Sequence, residues 1–211
     1  MSTLVHSTMK RGQFRQKLTK PLKRTPLARV SPNKVKKSKT SIYKWTPPKW
    51  LGSIPQGSHG NTSIQKKTWK VISDFVRIRD YNLYGGVCPG CSEFKFHTWK
   101  DGQCCHWKRW TNCNSYFKYE IRNLILGCSG CNKFEEDGVV GYKFGIELIK
   151  RYGNGNLKYV EEENKTYHGK KMEDIVLVGI IEMLIGRMKD LPEKPDYYDK
   201  VIERMAYEKQ G

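Results

Sequence analysis

The sequence predicts an α+β fold: a small zinc-stabilised ββα module flanked by helices, with a basic N-terminal arm lacking regular structure and a helical C-terminal annex. Three observations carry this expectation. Two Cys-x-x-Cys pairs, Cys88/Cys91 and Cys128/Cys131, enclose a segment with short apolar runs, and four thiolates so spaced can close a tetrahedron around Zn²⁺. Apolar residues at helical spacing precede the first pair and recur well after the second. Nearly all of the excess charge lies in the first third of the chain.

The chain has 211 residues, only 37% of them hydrophobic, and a formal charge of +18. That length suits one ordinary domain with appendages. Of the 39 lysines and arginines, seventeen precede Asp74, the first acidic residue, which leaves 22 against 21 acidic residues in the remainder. A nearly neutral domain therefore carries a polycationic arm. In the arm, lysine and arginine alternate with Pro, Ser, Thr and Gly, as at Lys23-Arg24-Thr25-Pro26 and Lys34-Val35-Lys36-Lys37, with no sustained period, which predicts disorder in isolation. Such a cation array binds polyphosphate by releasing condensed counterions, without regard to sequence. Nucleic acid is the expected partner, with Lys23, Arg24, Lys36 and Lys37 among the contacts. No amphipathic stripe accompanies the charge, so an anionic membrane fits less well.

Residues Met1 to Arg11 lack an apolar run and no stretch approaches the length that a bilayer requires, which predicts a protein kept in a reducing cytoplasm. Seven cysteines make an awkward disulfide framework, whereas two ligand pairs plus Cys104, Cys105 and Cys113 suit metal binding among reduced thiols. The predicted divisions are an arm and linker over 1–62, a zinc-stapled domain over 63–153 and the annex over 154–211.

In chain order, Trp69, Ile72, Phe75, Val76 and Ile78 follow three-and-four spacing and predict a helix from about Ser63 to Asp80. Tyr84-Gly85-Gly86 turns the chain into the first knuckle, Cys88-Pro89-Gly90-Cys91. Phe94 to Trp110 alternates enough for a short hairpin, with His106 on or near its second strand. Leu124-Ile125-Leu126-Gly127 leads into the second knuckle, after which a helix should begin near Asn132. Further on, Met172 to Met188 forms a strongly apolar helical pattern and Tyr197 to Tyr207 suggests another. This annex either packs on the module or forms a dimer interface.

The order knuckle, hairpin, knuckle, helix suits a ββα-metal nuclease. Phosphodiester hydrolysis needs a base to deprotonate water and a cation to neutralise developing charge. A strand histidine, His106, can be the base. An oxygen donor on the following helix, Asn132, can hold Mg²⁺ or Mn²⁺, which prefer oxygen ligands. Zinc would then fix the distance between base and ligand. Aromatic and basic side chains interleave nearby, and Lys100, Lys108, Arg109, Lys118 and Arg122 are the expected DNA contacts.

Gln103-Cys104-Cys105-His106-Trp107, Lys118 to Asn123 and Cys128-Ser129-Gly130-Cys131-Asn132 resemble, in order and spacing, the phage NinG/Rap recombination endonucleases, members of the HNH nucleases. Lys20 to Leu27 looks like that family's basic amino-terminal run, and Tyr142 to Gly153 like its post-knuckle helix. Endonuclease VII-like junction resolvases are more distantly similar, with an asparagine directly after the last zinc cysteine and a glutamate three residues later, here Asn132 and Glu135. The resemblance implies a structure-selective endonuclease that cuts branched DNA such as Holliday junctions, in the cytoplasm of a host cell. His106 would activate water, Asn132 would ligate the catalytic metal with Glu135 assisting, and Asn123 would brace the loop carrying the base.

One position departs from the HNH pattern. Cys105 stands where Asp or His often supplies the other hard-metal ligand, and cysteine is a poor partner for Mg²⁺. Gln103, where NinG-like sequences often carry Gln or Asp, or a water is then the expected first ligand. Asn132 and Glu135 could instead form a helix capping box. Two other functions stay open: a non-catalytic zinc-knuckle nucleic-acid-binding protein, and an HNH nickase acting on linear duplex.

Overall fold

The first helix, α1 (Ser63–Leu83), is the element on which the other parts are laid. Its start is set by a capping box: Thr62 Oγ1 accepts from the Gln65 amide and Gln65 Oε1 accepts from the Thr62 amide, both at 3.2 Å, which satisfies donors the helix cannot pair internally. The expected apolar residues are buried, and Val71 joins them. The helix runs three residues past Asp80, to the turn at Tyr84.

This structure, a computed structural model, describes residues 45–133, 138–166 and 171–210. Lys23, Arg24, Lys36 and Lys37 of the basic arm and Glu135 lie outside the described residues. Within the compact unit Trp45–Gly211, α1 is covered on two sides. On one side lie α5 (Asp174–Met188) and α6 (Tyr198–Glu208). Leu177, Ile181, Leu184, Ile185 and Met188 of α5 share a core with Val71, Ile72 and Val76 of α1, with Val201 of α6, and with Trp50, Leu51 and Ile54 of the preceding linker. The annex helices match the predicted spans to within two residues, since helix ends fray at that scale.

The other side of α1 meets a two-stranded antiparallel sheet, β1 (Gln103–His106) with β2 (Leu124–Gly127). The register pairs Gln103 with Gly127, Cys104 with Leu126, Cys105 with Ile125 and His106 with Leu124. This corrects the hairpin expected within Phe94 to Trp110. The stretch before β1 is spent on the knuckle closure, where Val87 bridges Lys95, and on a 3-10 turn over Trp99–Asp101. His106 thus ends the first strand, and its partner strand arrives after a long loop built from three further 3-10 turns. Alternation along a four-residue segment cannot say which distant strand it will pair with.

Directly paired residues share a face, and the two faces of the sheet look onto different cores, except that Leu126, the partner of Cys104, packs into the second one. Cys104, His106 and Leu124 face α1. Cys105 and Ile125 face the knuckles, in a second core with Cys88, Cys128, Cys131, Phe144 and Leu148. Phe144 and Leu148 come from α3 (Gly138–Tyr152), which starts four residues before the predicted Tyr142. After β2 comes α2 (Ser129–Lys133), which begins at the knuckle itself rather than near Asn132. The helix α4 (Asn156–Thr166) was hidden by its acidic run and buries only Asn156 and Val160.

A buried carboxylate ties these layers together. Asp80, wholly buried, accepts from the Leu126 amide of β2 at 2.9 Å, from Arg79 Nε at 2.6 Å and pairs with Arg151 of α3 at 2.9 Å. One residue therefore links helix, sheet and the second core. Removing one partner of such a group strands the others without water. Asp80→Ala should lower the unfolding free energy by about 3–5 kcal/mol in urea denaturation, whereas Thr62→Ala, which loses only the cap, should cost about 1 kcal/mol.

Candidate metal centre and cleft

The two knuckles bring the Sγ atoms of Cys88, Cys91, Cys128 and Cys131 within 4.8 Å of one another. A tetrahedral zinc with bonds of about 2.3 Å needs sulfurs about 3.8 Å apart, so the four can hold this ion with little adjustment. The backbone is arranged for charged sulfur: the amides of Phe94, Cys128 and Cys131 point at Cys91, Cys88 and Cys128 Sγ at 3.5, 3.3 and 3.4 Å. Burial and the neighbouring sulfurs push the Cys88 and Cys131 thiols up. At Cys91 burial acts in the same direction, but hydrogen bonds from the amides of Phe94 and Glu93 and from the Cys88 and Cys131 thiols together outweigh it and bring the thiol down to about 7. Gly90 is required by the closeness of the knuckles, because a Cβ there would lie 2.8 Å from Cys131 Sγ and 2.9 Å from Phe144.

Next to this cluster, Asn132 and Gln103 meet. Asn132 lies within α2, one residue past the last cysteine, and its Nδ2 donates to Gln103 Oε1 at 2.7 Å. Its side chain is thus turned to β1 and does not cap a helix. Both amides are accessible to solvent. Cys105, the next residue on the same face of β1, is fully buried in the knuckle core, where a Cβ on Gly127 would come within 2.7 Å of its sulfur. It is a packing residue, which leaves Gln103 as the oxygen donor of β1 on this face.

His106 lies on the opposite face of the strand, so β1 separates it from the Gln103–Asn132 pair. Only 4% of its surface is exposed. The ring stacks on Trp69 at 5.1 Å with 8° between planes and meets the edge of Trp110 at 5.4 Å. Nε2 donates to the Lys118 carbonyl at 3.1 Å, which fixes that nitrogen as the protonated one. Burial, with smaller contributions from His59 and Lys118, pushes the imidazole down to about 4. His106 is neutral at pH 7.

Asn123 is a clamp. It is fully buried, with Oδ1 accepting from the Lys108 amide at 2.7 Å and Nδ2 donating to the Lys108 carbonyl at 3.1 Å, while its own carbonyl accepts from Trp107 at 2.8 Å. The long loop leaving His106 is thereby pinned to the start of β2. Among the expected DNA contacts, Lys108 is held through its backbone here, and the Lys118 ammonium sits 4.7 Å from the Trp110 ring centre. Arg122 stacks on Tyr159 of α4 at 4.7 Å. Lys100 is exposed and pairs with Asp196 at 3.3 Å, and Arg109 is half-buried in the loop.

A cleft of about 300 Å³ joins the two faces. Gln103 and Asn132 line it from one side of β1; Cys104, Trp69 and His59 line it from the other, with Lys70, Ser73 and Arg77 of α1. It can take residues from both faces only by lying along the unpaired edge of β1. Lys70 and Arg77 both bind Asp74, so two cations stand against one carboxylate. His59 is the residue that sequence reasoning missed. It is exposed, lies at 5.2 Å from both Trp69 and Trp110, and burial lowers its pKa. It sits in the linker outside the Cys-x-x-Cys frame, in Gly57-Ser58-His59-Gly60. The one available signal was a histidine among glycines just before the helix that carries Trp69.

A knuckle-closed α+β module with a paired Gln–Asn at the strand edge is the class of protein that this fold and site define. The family model for the bacteriophage lambda NinG protein matches residues 58–193, well over half of the chain. The chain belongs to that family, which is associated with phage recombination. No curated protein and no solved structure matches it. No helix among the described residues is long and apolar enough to cross a membrane.

Two measurements follow from this geometry. Cys128→Ser should take the purified protein from about one zinc per chain to none by elemental analysis, with loss of cooperative unfolding. For His106 the folded pKa lies below the unfolded value of 6.5, so the unfolded chain binds the extra proton first as pH falls. Stability contributed by the neutral ring is full above about 6.5 and is lost down to about 4, a span of about 3 kcal/mol. The His106 ring resonances should titrate near pH 4, and His106→Leu should flatten that part of the stability profile.

Proposed function

We propose that this protein is a metal-dependent endonuclease of the HNH type that cuts branched DNA. The observation that carries the reading is the meeting of Gln103 and Asn132 at 2.7 Å, beside the cysteine cluster and in a cleft with two cations and an imidazole. Turning the Asn132 amide about its last bond would present both side-chain oxygens on one side, and the assignment of amide O and N is interchangeable in such a pair. Bound Mg²⁺ or Mn²⁺ would supply charge neutralisation at the scissile phosphate and the departing 3′ oxygen. The two amides are neutral, so the ion is held weakly by the described residues and gains its remaining ligands from phosphate and water. Lys70 and Arg77, only half neutralised by Asp74, orient the phosphate, and the arm adds the sequence-independent affinity.

The base must be a neutral imidazole within reach of water. His106 meets the first condition, and family resemblance assigns it the role. Its burial beneath Trp69 and Trp110 favours a second assignment within the same reading, in which exposed His59 accepts the proton and His106 holds the aromatic frame. Asn132→Ala should reduce magnesium- or manganese-dependent nicking of a four-way junction by roughly 10–100-fold while leaving zinc content unchanged. An acid limb of the pH–rate profile near pH 4, lost in His106→Gln, assigns the base to His106; a limb at higher pH that vanishes in His59→Gln assigns it to His59. Tight junction binding with no cutting under any divalent metal would sink the nuclease reading and leave a zinc-knuckle DNA-binding protein.

A further inference from the structure

The outer face of α5 is apolar where a solvent-facing helix should be polar. Its inner residues fill the core, yet Ile175, Val176 and Met183 on the outside are 55%, 40% and 45% exposed. Gly179 and Gly186 lie on the same outer face, with nothing within 4 Å of where a Cβ would stand. Only Glu182 and Arg187 interrupt this surface between residues 175 and 187. By contrast, the exposed positions of α4 are Lys158, Glu161, Glu162, Lys165 and Thr166. A helix that is apolar nearly all round is normally covered on both sides.

We infer that this face binds a second copy of the chain, with the two α5 helices antiparallel about a two-fold axis. The apolar positions of the face are self-complementary in that arrangement, while Glu182, one residue from the helix midpoint, lies close to its own symmetry mate. About the helix midpoint, Ile181, an antiparallel pair sets Val176 against Gly186 and Met183 against Gly179, so each projecting side chain meets a bare stretch of backbone. The ends agree. Glu173 precedes the apolar face and Lys189 closes it, both exposed; antiparallel packing about Ile181 sets Glu173 beside the partner's Lys189 and also opposes the helix dipoles. Parallel packing would bring like charges together.

The contact is about 22 Å long and small for a specific interface, so association at micromolar concentrations is expected. Because α1 separates α5 from the cleft, the pairing leaves both clefts open. The inference does not rest on the nuclease reading, since its readout is mass.

Sedimentation equilibrium of the nucleic-acid-free, zinc-loaded full chain tests it. The average mass should rise from 24.6 kDa toward twice that value between about 1 and 100 µM. Met183→Lys, at an exposed position, should keep the native melting temperature and remain monomeric over the same range. Lys189→Glu should weaken the dimer several-fold, and adding Glu173→Lys should restore it. A native chain that stays monomeric throughout, or a Met183→Lys chain that associates as well as the native one, overturns the interface. Failure of the double variant to recover overturns the antiparallel pairing.

Discussion

Everything around the cleft depends on the convergence of four cysteine sulfurs. A sheet of two four-residue strands is too small to stand alone in water, and both of its strands adjoin a knuckle or the loop from one. Closing Cys88 and Cys91 against Cys128 and Cys131 fixes where β2 ends, where α2 begins and hence where Asn132 points. The knuckle core, with Cys105, Phe144 and Leu148, then supplies apolar contacts that the strands lack on their own. A metal held there would bind the folded arrangement and not the open chain, so its binding free energy would count toward folding.

The second organising element is ionic. Asp80 links α1 to the β2 backbone and to α3, which orients the knuckle unit relative to the helix that carries Trp69, Lys70, Ser73 and Arg77. A buried carboxylate with two arginines and an amide is favourable only when every partner is present, so it specifies one docking of the two cores. The cleft is the gap left between them along the free edge of β1, and its two walls belong to different cores. The aromatic frame of Trp69, Trp110, His59 and His106 closes one wall and keeps His106 from water.

Several site residues were legible because their spacing has a physical meaning. The paired cysteines could be read as a metal site from ligand geometry alone. Asn132 was singled out by its position directly after the last cysteine, and Gln103 by the resemblance to NinG-like sequences, and their side chains meet at 2.7 Å. The loop-bracing role of Asn123 was implied by the family resemblance and by no spacing rule; in the structure its side chain binds both backbone groups of Lys108. Other features could not be read this way. The partner of β1 depends on a long-range register that four residues do not encode locally. The departure at Cys105 looked like a defect at a metal site until strand alternation turned its sulfur into the knuckle core. His59 belongs to no spacing pattern and becomes visible only when the linker folds across Trp69 and Trp110.

By itself, the sequence determined several elements and their chemistry: the first helix, the thiolate pairs, the apolar annex helices and the segregation of charge into an arm. These follow from local periodicity and from ligand requirements that act over a few residues. Only the tertiary structure decided which strand pairs with β1, that β1 separates His106 from Gln103 and Asn132, and that α5 keeps an apolar face outward after its inner face is buried. Those outcomes are set by register and by packing between segments far apart in the chain, where no local pattern chooses between the available faces.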